Sequence, residues 1–346
     1  MKRYRRWRVW MTAALVVAGM LLALTPAGLA QGIRLRVADS FPPSHYQSKD
    51  GIVVWMNRVT ELTGGRVQFD YFPAQQLGSV ADMLDLVQTR VADIAYVGPN
   101  YFSDRMPLSG VAELPGSFTT SQEGTEAYWR LVERFLLEHE FLANDVRPLY
   151  AVTLPPYQLA TLSKRINSLA DLQGLRIFAG GASVSQTVQR LGGVPTSIPA
   201  PELYLAMQRG MLDGAVGAIG SIKPYNLHEL VRHMTTNLNL GSFVATYVIN
   251  EQVWQRLPAD VQAAMIQAGE ETRRHLSRVL DEADQATIEE LSAAGVDLYR
   301  LPEDELARWT ERVRPVWDEW AASLDRRGLP GSQVLSMWLE SVAEGR

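Results

Sequence analysis

The chain has 346 residues with 33 Lys and Arg against 38 Asp and Glu, which gives a formal net charge of −5. It contains no cysteine, and this excludes disulfide bonds and thiolate chemistry. The acidic balance argues against a nucleic acid or an anionic membrane as a partner. Stability must therefore come from a large apolar core, which a chain of this length is expected to divide between two domains.

The first thirty residues have the pattern of a secretory signal peptide. Five basic residues and no acidic one open the chain: Lys2, Arg3, Arg5, Arg6 and Arg8. An apolar run over 11–24 follows, and small residues at Gly28 and Ala30 predict cleavage after Ala30. Loss of the five positive charges would change the net charge from −5 to −10. The pattern predicts a periplasmic protein; a retained membrane anchor is the alternative, for which the run is short.

Strand and helix patterns alternate from the mature N-terminus onward. The segment "IRLRVA" (33–38) alternates apolar and polar residues, and 52–62 has apolar residues at helical spacing before Gly64-Gly65. A strand over 67–72, a helix beginning near Ser79 and a strand "IAYVG" (94–98) follow. This βαβαβ order predicts a mainly parallel sheet.

A second unit repeats the scheme with the strand "LRIFA" (175–179), a helix over 183–191, a short strand within 192–199 and the strand "GAVGAI" (214–219). In both units a glutamine near a helix end precedes, by five positions, an aspartate before an apolar strand: Gln88 and Asp93, then Gln208 and Asp213. Two similar α/β lobes in one exported chain suggest a clamshell.

The rest of the chain is expected to connect and brace the two units. The segment "FVATYVIN" (243–250) is rich in strand formers and is predicted to cross back to the first lobe. Pro258 begins a long helix whose apolar face continues to Leu291, long enough to contact both lobes. The tryptophans of the tail, Trp309, Trp317 and Trp320, are interpreted as packing residues.

The sequence carries no recognisable catalytic or metal motif. Its five histidines lack the HExxH or any other metal-ligand spacing, and there is no GxSxG, GxGxxG or GxxxxGK[ST] segment. We therefore predict a protein that is not an enzyme and that needs neither a metal nor a cofactor.

Five segments occur in the order and at the spacing of one known family: "PAQQLG" (73–78), "LVQTRVADIAYVG" (86–98), "AELPG" (112–116), "SLADLQGLRI" (168–177) and "QRLPADVQAA" (255–264). On these segments the chain resembles the extracytoplasmic substrate-binding proteins of tripartite ATP-independent periplasmic (TRAP) transporters, of the dicarboxylate-receptor type. The resemblance covers about residues 33 to 290.

The resemblance implies an α/β, two-lobed periplasmic binding protein (a type II-like clamshell) with mainly parallel sheets and a long inter-lobe helix. The first lobe would comprise 31–153 with 241–283, and the second 154–240 with 284–346. One small organic solute would be closed between the lobes and delivered to the membrane subunits of a TRAP permease. A receptor of the same fold that serves a sensor kinase, or an exported enzyme on this scaffold, are the alternatives.

The sequence departs from the family at the position that usually holds the ligand carboxylate. The family strand "GLKIR" ends in an arginine whose planar fork binds a carboxylate, whereas here the aligned residue is Phe178. The family segment "DGQEN" is Asp213-Gly214-Ala215-Val216-Gly217 here. These departures predict a ligand other than a simple dicarboxylate, unless Arg90, Arg176 or Lys223 acts as a relocated clamp. Phe178 could instead point into the core of its lobe.

The remaining candidates come from strand ends and from segments between the lobes, because open α/β sheets bind ligands beyond the carboxyl ends of their strands. Tyr46 and Tyr157 lie in the same segments. The predicted ligand-binding residues are Ser40, His45, Tyr96, Asn100, Tyr101, Gln158, Arg176, Phe178, Gly217, Phe243 and Tyr247.

Overall fold

The computed structural model describes residues 32–345. The predicted signal peptide and the cleavage position after Ala30 lie outside the described residues. Among the helices of 32–345, none combines the length and the apolar character that a membrane span requires.

Two sheets organise the described chain. Residues 32–345 contain eleven strands, in chain order β1 Ile33–Ala38, β2 Val67–Phe72, β3 Ile94–Val97, β4 Val146–Thr153, β5 Gln158–Thr161, β6 Arg176–Phe178, β7 Val194–Thr196, β8 Gly214–Gly217, β9 His233–Thr235, β10 Val244–Asn250 and β11 Asp297–Tyr299. The first sheet has the order β2-β1-β3-β10-β4, and the second has the order β11-β9-β5-β8-β6-β7.

The α-helices pack around these sheets. They are α1 Val53–Leu62, α2 Met83–Gln88, α3 Ser121–Leu131, α4 Leu169–Leu172, α5 Ala182–Arg190, α6 Leu203–Gln208, α7 Glu251–Trp254, α8 Ala259–Ala293, α9 Glu303–Val313, α10 Pro315–Asp325 and α11 Gly331–Ala343. Two wider π-helical segments, Gln47–Ile52 and Val132–Phe141, precede α1 and follow α3.

Each sheet is mainly parallel and contains one reversed strand. In the first sheet β10 runs antiparallel to both β3 and β4, and in the second β5 runs antiparallel to both β8 and β9. These are the strands that the chain enters immediately after crossing between the sheets, through 154–157 and through 236–243. The predicted α/β, two-lobed fold and the return of 243–250 to the first lobe are confirmed.

The two lobes share the structural repeat that the sequence suggested. Asp93 accepts hydrogen bonds from the backbone N–H and the guanidinium of Arg36, and Asp213 does the same for Arg176. The register also agrees, because β1 pairs with β3 as β6 pairs with β8. Phe178 of the second lobe therefore occupies the place that Ala38 has in the first.

The long helix α8 connects the two lobes. Its 35 residues extend over about 52 Å. Asp281 accepts a 2.6 Å hydrogen bond from the backbone of Ser121, at the start of α3. One turn later, Asp284 accepts a 2.7 Å bond from the backbone of Gly220, which follows β8. Neighbouring carboxylates of one helix thus hold a segment of each lobe, as expected for an inter-lobe helix.

The tail helices bury their tryptophans within the same chain. Trp309 and Trp338 are buried completely, and Trp320 is 7 % exposed. Helix α11 packs on α3, where Arg130 donates a 2.7 Å hydrogen bond to the carbonyl of Ser341. The aromatic stripe is therefore a packing surface, because the rings fill the space between the tail and the body of the protein.

Candidate ligand-binding cavity

A cavity of about 770 Å³, its open mouth included, lies between the two lobes. It has the position expected of a small-molecule site in a two-lobed fold. The first lobe and the two crossing segments supply Phe41, Tyr46, Gln47, Tyr96, Asn100, Tyr101, Leu154, Tyr157 and Phe243. The second lobe supplies Ala160, Phe178, Gly180, Ala200, Leu203, Ala215, Val216, Gly217, Ala218, Ser221, Ile222, Tyr225, Leu227 and Met234.

Aromatic rings form most of the wall. Eight of them border the cavity: Phe41, Tyr46, Tyr96, Tyr101, Tyr157, Phe178, Tyr225 and Phe243. Several pack against one another, with ring centroids 4.7 Å apart for Phe41 and Tyr96 and 6.0 Å apart for Tyr101 and Phe243. Gly98 permits this packing, because a Cβ there would lie 2.7 Å from the ring of Phe243 and 2.8 Å from the Tyr96 hydroxyl.

Phe178 lines the cavity at the carboxyl end of β6. Its neighbours on the adjacent strand are small, because β8 reads Gly214-Ala215-Val216-Gly217. A Cβ built on Gly217 would meet no atom within 4 Å. The end of β8 at Gly217 therefore leaves space open on the side of the cavity.

Arg176 does not line the cavity, and neither do the other two candidates for a relocated clamp. The Arg176 guanidinium lies at the amino end of β6, half exposed, and donates to Asp213 at 2.8 and 3.0 Å. Arg90 lies in the turn before β3, where its carbonyl accepts from Arg36. Lys223 pairs with Glu290 of α8. The prediction that Arg176 faces the ligand is wrong in this geometry. Asp213 binds its guanidinium at the amino ends of β6 and β8, whereas the cavity lies at their carboxyl ends.

Four further predicted residues do not line the cavity: Ser40, His45, Gln158 and Tyr247. Ser40 and His45 are buried behind Phe41, with the imidazole stacked on that ring at 4.3 Å. Burial lowers the pKa of His45 to about 3, so the ring is neutral. Tyr247 lies behind Tyr96, with ring centroids 5.7 Å apart.

Gln158 has a structural role that accounts for all of its side-chain groups. Its amide nitrogen donates to the carbonyl of Leu238 at 2.6 Å, and its amide oxygen accepts from the Leu238 N–H at 2.9 Å and from the Thr235 hydroxyl at 3.2 Å. These bonds tie β5 to the crossing segment 236–243. Gln158 is therefore not available to a ligand.

The polar groups of the wall are neutral. The Tyr46 hydroxyl lies 3.0 Å from the Ser221 hydroxyl, and this contact joins the two lobes across the cavity. Both atoms of the Gln47 amide, and Oδ1 of Asn100, are buried without a hydrogen-bond partner in the described chain. Among the described lining residues, none is Lys, Arg, His, Asp or Glu.

Three buried acidic residues act electrostatically on tyrosines of the cavity wall. Beyond the effect of burial, Asp284 raises the pKa of Tyr46, Glu113 raises the pKa of Tyr101, and Asp39 raises the pKa of Tyr96. Burial raises the pKa of Asp284 to about 7 and raises the pKa of Asp39 and Glu113 above the ordinary range. Burial also raises the pKa of Tyr101 to about 12, so its hydroxyl stays neutral. These groups supply no positive charge to the cavity.

Sequence reasoning missed several lining residues. Phe41 and Gln47 flank the loop after β1, so the rule that ligands bind beyond strand ends could have identified them. Ser221 and Tyr225 lie in a turn-rich segment after β8, where no periodic pattern indicates which side chains face inward. The fold brings this segment to the cavity through the contact of Gly220 with α8.

Residues 37–323 match the family model described as bacterial extracellular solute-binding protein, family 7. The chain belongs to this family. It is 25% identical over 328 residues to the C4-dicarboxylate-binding periplasmic protein DctP of Rhodobacter capsulatus, covering 89% of this chain and 92% of that protein. The protein is thus an extracytoplasmic solute-binding protein of the TRAP type.

Solved structures of TRAP solute-binding proteins have the same fold. One from Rhodoferax ferrireducens, in complex with copurified benzoate, is 26% identical, with a TM-score of 0.85 over 90% of this chain and 98% of that one. Another from Bordetella bronchiseptica, with bound (R)-mandelate and (S)-mandelate, is 25% identical, with a TM-score of 0.82 over 90% of this chain and 99% of that one.

Proposed function

We propose that this receptor binds a small, largely apolar or aromatic solute that is neutral or positively charged, and that it passes this solute to the membrane subunits of a TRAP permease. One observation carries the proposal: the cavity is lined by eight aromatic rings and, within the described residues, by no charged side chain. Its ligand contacts would include Tyr96, Asn100, Tyr101, Phe178, Gly217 and Phe243.

The absence of a cation from the described wall argues against a dicarboxylate. A carboxylate that enters a dry cavity without a positive partner loses its hydration, which costs several kcal/mol. The loss of a charge-assisted pair corresponds to roughly two to three orders of magnitude in affinity. Stacking on Phe178 contributes about 1 kcal/mol, and it does so for a different class of ligand.

The ligands of the solved relatives support an aromatic solute. The two relatives at 25–26% identity are described with benzoate and with mandelate, each of which combines one ring with one carboxylate. The cavity of this chain suits the ring, but none of its described lining residues is a cation that could pair with the carboxylate. An aromatic compound without net negative charge fits both properties.

The proposal includes a location and two lobes. The receptor would act in the periplasm after cleavage behind Ala30. The lobes would comprise 31–153 with 241–283 and 154–240 with 284–346, with α11 lying against α3 of the first lobe.

Calorimetry against matched solutes tests the proposal. The panel contains succinate, malate, a 2-oxo acid, an aromatic acid, an aromatic alcohol and an amine. We expect no submicromolar binding of succinate or malate by the wild type, and measurable binding of an apolar or aromatic member. Phe178→Ala should weaken that binding about 5-fold, the equivalent of about 1 kcal/mol.

Phe69→Ala provides a control, because Phe69 lies on β2 and does not border the cavity. It should lower the melting temperature and leave the affinity unchanged. Submicromolar succinate binding that persists in Phe178→Ala would refute the proposed ligand class.

A further inference from the structure

Glu113 is a buried carboxyl group with no partner. It ends the 3₁₀ segment Leu108–Glu113 and is 2 % exposed. Its oxygens accept no hydrogen bond from any residue that the structure describes. The other buried carboxylates are bonded: Asp39 accepts from Phe41, Ser48 and Tyr71, and Glu140 accepts from Leu108 and Ser109. An unbonded buried carboxyl is costly, so it calls for an explanation.

Glu113 lies directly behind the wall of the cavity. A Cβ built on Gly181 would lie 2.8 Å from Glu113 Oε2 and 3.2 Å from Asn100 Cβ, so these two atoms are no more than 6.0 Å apart. Asn100 and Gly180 both line the cavity, next to the ring of Phe178. Because Gly181 has no side chain, the carboxyl of Glu113 and the side chain of Asn100 approach each other closely across it.

The groups around Glu113 do not neutralise it. Its titratable neighbours are Tyr101, Tyr128 and Tyr157, whose pKa values are all raised by burial. Burial also raises the pKa of Glu113 well above its ordinary value, with no opposing contribution from a cation or a hydrogen bond. Burial therefore favours the protonated form of the carboxyl, and a positive charge close to it would favour the ionised form.

We propose that the cavity binds a small organic cation, a protonated amine or a quaternary ammonium compound, and that Glu113 is its counter-ion. The inference rests on the receptor function proposed above and narrows its ligand class. The faces of the surrounding rings, Phe178 and Tyr101 among them, attract a cation through their quadrupoles. The ammonium group would lie near Asn100, and the apolar part of the ligand would lie between Phe178 and Phe243.

The proposal includes a change of protonation. Glu113 is a carboxylic acid in the empty cavity and a carboxylate beside the cation, so each binding event releases one proton to the solvent. Affinity for the cation therefore rises with pH while Glu113 is protonated in the free protein. A neutral ligand of the same shape causes no such release.

Three probes of similar shape and different charge test this inference: benzylamine, benzyl alcohol and benzoate. Calorimetry with the wild-type receptor should show benzylamine bound at least 10-fold more tightly than benzyl alcohol, and benzoate bound least. The affinity for benzylamine should increase as the pH is raised, and the heat should depend on the buffer in the way that proton release requires. Choline serves as a second cation that carries no ring.

Glu113→Gln keeps the shape of the side chain and removes its ability to ionise. This variant should lose the preference for benzylamine over benzyl alcohol, together with the proton release, and should melt within a few degrees of the wild type. Glu140→Gln is the control, because Glu140 is equally buried but its carboxyl is already bonded to Leu108 and Ser109. It should lower stability and retain the preference.

The outcomes separate the inference from the receptor function. If benzoate or benzyl alcohol binds at least as tightly as benzylamine, the cation inference is overturned and the receptor function stands. Failure of both benzylamine and choline to bind overturns it as well. A preference that survives in Glu113→Gln removes Glu113 as the counter-ion. The receptor function itself fails only if no solute of the wider panel binds.

Discussion

Replacing Tyr46 by phenylalanine is expected to weaken ligand binding while leaving each lobe folded. Tyr46 precedes the helical segment Gln47–Ile52 of the first lobe, and Ser221 ends a 3₁₀ turn after β8 in the second. Their hydroxyl oxygens lie 3.0 Å apart. The bond forms only while the lobes face each other, so it stabilises the closed arrangement and contributes nothing to an open one.

The expected size of the effect follows from this geometry. A hydrogen bond between neutral groups contributes about 1 kcal/mol, and a half-buried Ser221 left without its partner raises the loss to about 2 kcal/mol. The ligand binds to the closed arrangement. When the free protein is mainly open, the full free energy of the lost hydrogen bond therefore appears as weaker ligand binding. We therefore expect binding to weaken roughly 5- to 30-fold.

A double-mutant cycle measures this coupling. The dissociation constant of the tightest-binding solute of the panel is determined by calorimetry for Tyr46→Phe, Ser221→Ala and the double variant. The double variant should be about as weak as either single one, which corresponds to a coupling of about 1 kcal/mol. Tyr71→Phe is the control, because the Tyr71 hydroxyl bonds Asp39 within one lobe. Additive losses, or an equal loss in Tyr71→Phe, would refute the reasoning.

Three further predictions concern stability, closure and processing. Burial raises the pKa of Asp284 to about 7, so between about pH 4 and pH 7 this carboxyl is protonated when folded and ionised when unfolded. The free energy of unfolding should therefore fall as pH rises through this range, and Asp284→Asn should flatten that fall in urea titrations at pH 5, 6 and 7.5; an unchanged slope would contradict it. Small-angle scattering should show a smaller radius of gyration in the presence of a bound solute, and an unchanged radius alongside clear binding would exclude closure. N-terminal sequencing of the periplasmic protein should begin within a few residues of Gln31; a chain that retains Met1 would contradict cleavage.

The placement of the arginines shows where sequence reasoning reached its limit. Strand parity puts Arg176 and Phe178 on one face of the sheet, and this made both of them candidates. The carboxyl-end rule separates them, because only Phe178 lies at the ligand edge of β6. The sequence showed the repeat of Asp93 and Asp213, and only the structure shows that these aspartates bind Arg36 and Arg176 of the neighbouring strands.

Gln158 and Glu113 show a different limit. Gln158 lies in a segment between the lobes, and its residue type suits ligand binding, but Thr235 and Leu238 occupy its amide from 77 and 80 positions away in the sequence. Glu113 lies in a segment that resembles the family, yet nothing local reveals that its carboxyl has no partner. Whether a polar side chain is available is decided by long-range neighbours, which a local pattern does not contain.

The sequence by itself determined the order of strands and helices within the two repeated units, the repeat itself and the long connecting helix, because these depend on periodicity and on local turn and capping residues. It also identified Phe178 as the residue in the place of the family arginine. Only the tertiary structure decided which side chains meet across the lobes, which polar groups remain unbonded and which charges surround the cavity. These properties depend on contacts between residues far apart in the chain, and those contacts exist only after the two lobes have packed against each other.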